Sequence, residues 1–135
     1  MTRVWTSVAI ALLAAMPAFA GDLRTETVHF PARQSGTTIS DSIKGYQSVA
    51  YELGAAQGQT MVVDFATSNP SAYFNVYAPG KGPGDAAMYV GAASGNRFEG
   101  TLPAAGDYTV SVYLYRSAAR RDEVADYTLD IGIDR

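Results

Sequence analysis

The run Tyr108-Thr-Val-Ser-Val-Tyr-Leu-Tyr-Arg-Ser-Ala-Ala-Arg-Arg121 opens with eight residues that alternate in character. Tyr108, Val110, Val112 and Leu114 fall on one side, and Thr109, Ser111, Tyr113 and Tyr115 on the other. Successive side chains of an extended chain point to opposite faces, so this period of two marks a half-buried β-strand. At about 3.3 Å per residue the strand spans roughly 26 Å, enough to cross a small domain. Where the alternation stops, Arg116, Arg120 and Arg121 arrive within six residues. A rigid strand ending in a basic, small-residue loop is a way to hold cations at a surface.

On either side of this run the same period recurs in short pieces. Strands are expected over residues 25–30, 43–53, 60–65, 73–77, 86–90, 96–102 and 126–133. In the second, Val49, Tyr51 and Leu53 share a face; in the third, Met61, Val63 and Phe65 do. With the turn at 55–59 between them, these two read as a hairpin. Residues 33–38 are polar and turn-like, 68–71 form a second turn, and the Gly/Pro run at 78–84 breaks both helix and strand. No window outside the first twenty residues sustains a helical apolar period; residues 117–125 have room for one or two helical turns. Eight short strands with regular turn punctuation predict an all-β fold, a single-domain antiparallel β-sandwich around a core about 10 Å thick.

The first twenty residues stand apart. Arg3 supplies a positive start, residues 8–15 a short apolar core, and Ala18 and Ala20 small residues before Gly21. This pattern reads as a secretory signal peptide over residues 1–20, too short to span a membrane, with the β-sandwich domain over 21–135. No cysteine precedes Ala20, so no lipid anchor is expected. Without Arg3, nine Lys and Arg face thirteen Asp and Glu, a net charge of −4. That balance disfavours nucleic acid, which demands a basic footprint. With no cysteine and a single histidine, His29, neither disulfides nor a structural zinc site is expected.

Catalytic patterns are equally thin. A serine nucleophile needs a base, and His29 lies on the first strand with no identifiable partner. The pairs Asp122/Glu123 and Asp126/Asp130 are ordinary surface acids, no calcium-loop spacing occurs, and no Gly-rich loop leads into a helix. No cofactor or metal is expected, and the chain reads as a binding protein rather than an enzyme. Nine tyrosines are a heavy load for 135 residues. Tyr113 and Tyr115 oppose the core phase of their strand, and Tyr46 opposes Val49, Tyr51 and Leu53. Solvent-side tyrosine near arginine suits an interface, because both are enriched among binding hot spots. Cross-strand packing explains the tyrosines as well, and pairing with Asp122 and Glu123 explains the arginines. Both readings stay open on the residues alone.

Several segments carry a family likeness. Ile43-Lys-Gly-Tyr46, Gly58-Gln59, Ser94-Gly-Asn-Arg-Phe98, Leu102-Pro-Ala-Ala-Gly-Asp-Tyr108 and Tyr115-Arg-Ser-Ala-Ala-Arg120 together resemble the periplasmic lysozyme inhibitors of Gram-negative bacteria. The likeness is to the groups acting on invertebrate-type (i-type) and goose-type (g-type) lysozymes, and it spans residues 25–133. Gly58-Gln59 and Leu102-Pro-x-x-Gly-x-Tyr108 also resemble secreted modules of the pre-peptidase C-terminal kind. A non-catalytic, envelope- or glycan-binding sandwich is therefore the alternative. The inhibitors' Ser-Gly-x-x-Tyr motif is matched by Ser94 and Gly95, but Phe98 stands where tyrosine is expected. The resemblance implies a secreted, periplasmic protein that occludes an acidic lysozyme cleft. Its implied contact residues are Arg116, Arg120, Arg121, Ser94 and Gly95, with Tyr46, Tyr113 and Tyr115 around them. Arg116, nearest the rigid strand, leads the order of arginines. The sequence leaves open the lysozyme type and whether the protein is a homodimer.

Overall fold

The computed structural model describes residues 22–134. The signal-peptide reading of residues 1–20 lies outside them. Among the described residues nine strands fold into two stacked sheets: β1 (Leu23–Thr27), β2 (Gly36–Lys44), β3 (Ser48–Ala55), β4 (Thr60–Thr67), β5 (Ala72–Tyr77), β6 (Tyr89–Val90), β7 (Arg97–Thr101), β8 (Gly106–Leu114) and β9 (Val124–Asp134). Sheet A runs β1-β3-β8-β5-β6 and sheet B runs β2-β9-β4-β7. One-turn helices α1 (Gly91–Ser94) and α2 (Arg116–Arg120) link β6 to β7 and β8 to β9. The expected β-sandwich is the architecture found.

β8 sits at the centre of sheet A with its alternate apolar side chains turned into the core. Tyr108, Val110 and Val112 are fully buried. Facing them from sheet B are Met61, Val63, Leu129 and Ile131, and Phe65 reaches across to Phe74 at 5.6 Å between ring centroids. The other face of β8 is not open to solvent throughout. Thr109 and Ser111 are buried as well, lying opposite Tyr77 and Asn75 of β5 and Glu52 and Ala50 of β3.

Four expectations are corrected. The stretch 43–53 is not one strand: Gly45, in the left-handed region at φ 60°, breaks it, and Gln47 returns a backbone bond to Lys44 across a tight turn. The turn expected over residues 33–38 does not run its full length: residues 36–38 open the full-length β2, which pairs along its length with β9. The alternation of β2 is disguised because Asp41 takes a core-side position, where it meets Arg24 of β1 at the edge of the sandwich. The segments 48–55 and 60–67 are not a hairpin. β3 belongs to sheet A and β4 to sheet B, so their apolar faces stack across the core instead of pairing side by side. The sandwich is also not wholly antiparallel, since β1 pairs parallel to β3.

A second polar contact between the sheets lies deeper in the interior. The hydroxyls of Tyr51 and Tyr127 meet at 2.5 Å, joining β3 to β9. Burial pushes the Tyr51 hydroxyl up to about 12 and raises that of Tyr127 further. Both stay protonated at any physiological pH and act as a fixed cross-sheet tie.

Two ends of the sandwich follow from this topology. At one, the turn at 56–59 packs against the segment entering β8: Leu102 donates to the Gln59 carbonyl at 2.7 Å, and Gly58 donates to the Leu102 carbonyl at 2.9 Å. There the Tyr108 hydroxyl donates back to the Ala104 carbonyl at 2.6 Å, a tyrosine corner that fixes the chain as it enters the strand. At the opposite end lie the turn at 45–47, the loop at 68–71 and α2.

Candidate functional site: an arginine and tyrosine corner

Tyr115 carries the chain out of β8. Its amide donates to the Ser71 carbonyl at 2.8 Å, and its own carbonyl receives the Ala119 amide at 2.9 Å, which starts α2. Ala118 and Ala119 are buried, and their small side chains let this single turn lie against the end of the sandwich. Arg116 and Arg120 are four residues apart on a helical turn, hence on one side of it, and both are exposed. Neither side chain makes an ion pair or hydrogen bond among the described residues.

Arg121 differs. Its Nε donates to Glu123 Oε2 at 2.8 Å and its second guanidinium nitrogen lies 2.6 Å from the same oxygen. The other Glu123 oxygen accepts from Asn69 Nδ2 at 3.0 Å. Those two hydrogen bonds, Asn69 first and Arg121 second, hold the Glu123 carboxyl below the ordinary carboxylate range. Asn69 does more: its amide nitrogen also donates to the Val124 carbonyl at 3.2 Å, and its side-chain oxygen accepts the Ser71 amide at 2.9 Å. One asparagine thereby ties the loop at 68–71 to the loop after α2.

The turn that bears Tyr46 is tied to the same place. The Gly45 amide donates to the Glu123 carbonyl at 2.9 Å, and a Cβ at Gly45 would stand 2.7 Å from an Asp122 carboxylate oxygen. Glycine suits the positive φ, and a side chain there would also have to displace that carboxylate. Tyr46 is left 55% exposed and Tyr115 53% exposed, so the corner presents two tyrosines and two uncommitted arginines.

The remaining expected residues lie elsewhere. Tyr113 is half-buried on the outer face of sheet A, where its hydroxyl donates to Asn75 Oδ1 at 3.0 Å and burial raises its pKa. Its ring lies 6.3 Å from that of Tyr73, which in turn meets Tyr115 edge-on at 6.0 Å. Ser94 and Gly95 end α1 at the β6–β7 edge, and no hydrogen bond or ion pair joins them to the α2 corner among the described residues. Both are exposed. Gly91 starts that turn pressed on the backbone of β5, where a Cβ would come 2.4 Å from the Phe74 carbonyl. Phe98 is a core residue, 8% exposed, with its ring 5.2 Å from Tyr89. A tyrosine hydroxyl nonetheless serves this loop, because Tyr89 donates to the Gly95 carbonyl at 2.6 Å.

Sequence reasoning does not single out Asn69 or Tyr73. Asn69 stands in an Asn-Pro turn, where nothing local announces contacts more than fifty residues away. Tyr73 is one strand tyrosine among many; its phase, opposite to Phe74 and Val76, is the available signal.

Among the described residues no cluster of His, Cys, Asp or Glu could hold a metal, and no helix is long and apolar enough to cross a membrane. The corner has instead the makings of a contact surface. A two-sheet sandwich presenting such a corner defines a small β-sandwich binding protein. Comparison with solved structures gives the particular family. The structure is similar to Aeromonas hydrophila PliG, a periplasmic lysozyme inhibitor of g-type lysozyme, with a TM-score of 0.78 and 35% identity over 84% of this chain and 98% of that one. Salmonella Typhimurium PliG, also a periplasmic inhibitor of g-type lysozyme, is similar at a TM-score of 0.62 and 28% identity, over 82% of this chain and 98% of that one. The chain belongs to the PliG family.

The pre-peptidase C-terminal domain of Bacillus anthracis collagenase shares the fold at a TM-score of 0.52 and 16% identity, over 87% of this chain and 99% of that one. No family model and no curated protein matches the sequence.

Proposed function

We propose that this chain is a periplasmic inhibitor of g-type lysozyme, exported by a signal peptide cleaved after Ala20 and acting as the single domain 21–135. Its α2 corner enters the enzyme's cleft. Lysozyme clefts are built around an essential carboxylic acid in a groove shaped for a sugar chain. A guanidinium is suited to that acid, because its planar donor fork grips a carboxylate with two parallel bonds. The observation that carries the reading is the contrast among the three arginines: Arg116 and Arg120 are uncommitted, while Arg121 is held by Glu123. Arg116 and Arg120 are therefore the cleft residues, and Arg121 is part of the frame. Tyr46 and Tyr115 surround the insertion and exclude water, and Tyr113 extends the contact on the outer face of sheet A. Ser94 and Gly95 form a second contact at the β6–β7 edge.

The fold similarity to the PliG inhibitors supports g-type lysozyme over i-type as the target. It also supports a role in inhibition without catalysis.

Turbidity assays with g-type and i-type lysozymes test the reading. The purified chain should inhibit the g-type enzyme, and Arg116→Ala combined with Arg120→Ala should weaken inhibition at least tenfold, about 1.4 kcal/mol. Inhibition should also weaken as salt rises, since the contact is partly electrostatic. If both single arginine variants and Ser94→Ala stay within about threefold of wild type, the cleft model is wrong.

A further inference from the structure

We propose that Tyr73 is the positioning residue for Tyr115, and that through this pair the partner-binding surface runs from the α2 corner onto the outer face of sheet A. The inference rests on the lysozyme-binding reading above and names how far that surface extends.

Tyr115 is the most prominent aromatic beside Arg116, and its backbone is fixed by Ser71 and Ala119. Its side chain is more than half exposed, and its one ring contact among the described residues is Tyr73, edge-on at 79° between planes. An exposed tyrosine with no neighbour samples several rotamers and must be ordered when a partner arrives. A tyrosine already stopped against another ring does not carry that cost, which is why rigid aromatic anchors make hot spots.

Tyr73 can act as a stop because it is itself held. Its ring leans on Tyr113, whose hydroxyl donates to Asn75 Oδ1; Asn75 Nδ2 donates to the Tyr77 hydroxyl at 3.2 Å, and Tyr77 is buried. The chain of contacts thus leads from an exposed ring to an immobile one. The Tyr73 hydroxyl makes no hydrogen bond among the described residues, so the ring alone does the positioning.

The ground around the pair suits a protein surface laid over it. Along β3, β8 and β5, the outward positions carry two charged side chains, Glu52 and Asp107, and Asp107 lies at the far end of β8 from Tyr115. The other outward positions are tyrosine, asparagine, serine, threonine, alanine and glycine. Such a face can be desolvated with little penalty near Tyr73, while the arginines that seek charge stand at its end.

Two measurements decide the proposal. In the free protein, carbon-edited aromatic NMR should show a ring-to-ring Overhauser contact between Tyr73 and Tyr115. Tyr73→Ser should abolish it and move the Tyr115 ring resonances to exposed, averaged values, whereas Tyr73→Phe should leave them in place. Unmoved Tyr115 resonances in Tyr73→Ser overturn the positioning role whatever the partner is. In inhibition of g-type lysozyme, Tyr73→Ser should cost about fivefold to tenfold, chiefly through faster dissociation, with Tyr73→Phe near wild type. The same change made on a Tyr115→Ala background should cost nothing more. An equal loss on both backgrounds means that Tyr73 acts independently of Tyr115, and overturns the inference. If the wild-type protein inhibits no g-type lysozyme, the proposed function falls with the surface built on it, and the ring measurement still settles whether Tyr73 positions Tyr115.

Discussion

The two ends of the sandwich are built with similar care and to opposite purpose. At the end with the tyrosine corner, the motif residues spend their polar groups on the backbone: Tyr108 on Ala104, Leu102 on Gln59 and Gly58. At the α2 end a comparable set of bonds, from Asn69, Glu123 and Gly45, stops short of Arg116, Arg120, Tyr46 and Tyr115. The first end consumes its conspicuous residues and the second displays them. This explains why the Gly58-Gln59 and Leu102–Tyr108 segments also resemble other secreted sandwiches: they describe how the fold is closed, which says nothing of what it binds.

The largest expected effect tests the structural end. Leu102 is 1% exposed, and Leu102→Ala removes a buried side chain from a well-packed site, at a cost of about 2–5 kcal/mol. Thermal or urea unfolding should show it, while the fraction that remains folded inhibits as wild type does. A milder variant isolates the hydrogen bond. Tyr108→Phe keeps the ring and leaves the Ala104 carbonyl without its partner, at about 1–2 kcal/mol. If either variant instead lost inhibition with its stability intact, the division between the two ends would be broken.

How much of this is legible in the sequence differs between the ends for a physical reason. The core of β8 can be read because Tyr108, Val110, Val112 and Leu114 report their own burial by period. The stacking of β3 over β4 cannot, because an alternating face looks the same whether its strand pairs beside a neighbour or lies across from it. β2 is hidden by Asp41, whose core-side place is acceptable because Arg24 arrives from β1, on the edge of the other sheet. No local pattern around Asp41 announces that cation. At the α2 corner the arginines are visible in the sequence, but which of them is free is not. That depends on Asn69, which reaches Glu123 from the loop between β4 and β5.

A middle-sized effect concerns this brace. Asn69→Ala should loosen the loop after α2 and weaken inhibition roughly threefold to tenfold, less than the paired arginine change, because it disorders the cations without removing them. Amide hydrogen exchange at Arg121, Asp122 and Glu123 should speed up, while exchange in the core of β8 should not. The brace also has a pH signature. The Glu123 carboxyl is depressed in the folded protein, so its contribution is fully present above the ordinary carboxylate range and is lost as pH falls through the depressed value. Loop protection should hold across neutral pH and fall away only in acid. In Asn69→Ala that loss should begin at higher pH, since the first of the two bonds that depress the group is gone.

The smallest expected effect is the sharpest test of what separates frame from contact. Arg121 is an arginine one residue from Arg120, exposed and of the same charge, so any mechanism that depends only on net positive potential treats the three alike. A mechanism that depends on donor geometry does not. Arg121 already spends its Nε and a terminal nitrogen on Glu123, and taking it into a partner's cleft would strip Glu123 of a cation before gaining anything. Arg121→Ala should therefore leave inhibition within about threefold of wild type, while Arg116→Ala and Arg120→Ala each weaken it further. The control is Glu123→Gln, which releases Arg121 while keeping an amide where the carboxylate stood. It should leave the Arg116 and Arg120 losses unchanged if geometry governs. Equal losses from all three arginines would show that the corner works as a diffuse positive patch, and the distinction drawn from the Arg121–Glu123 pair would go with it.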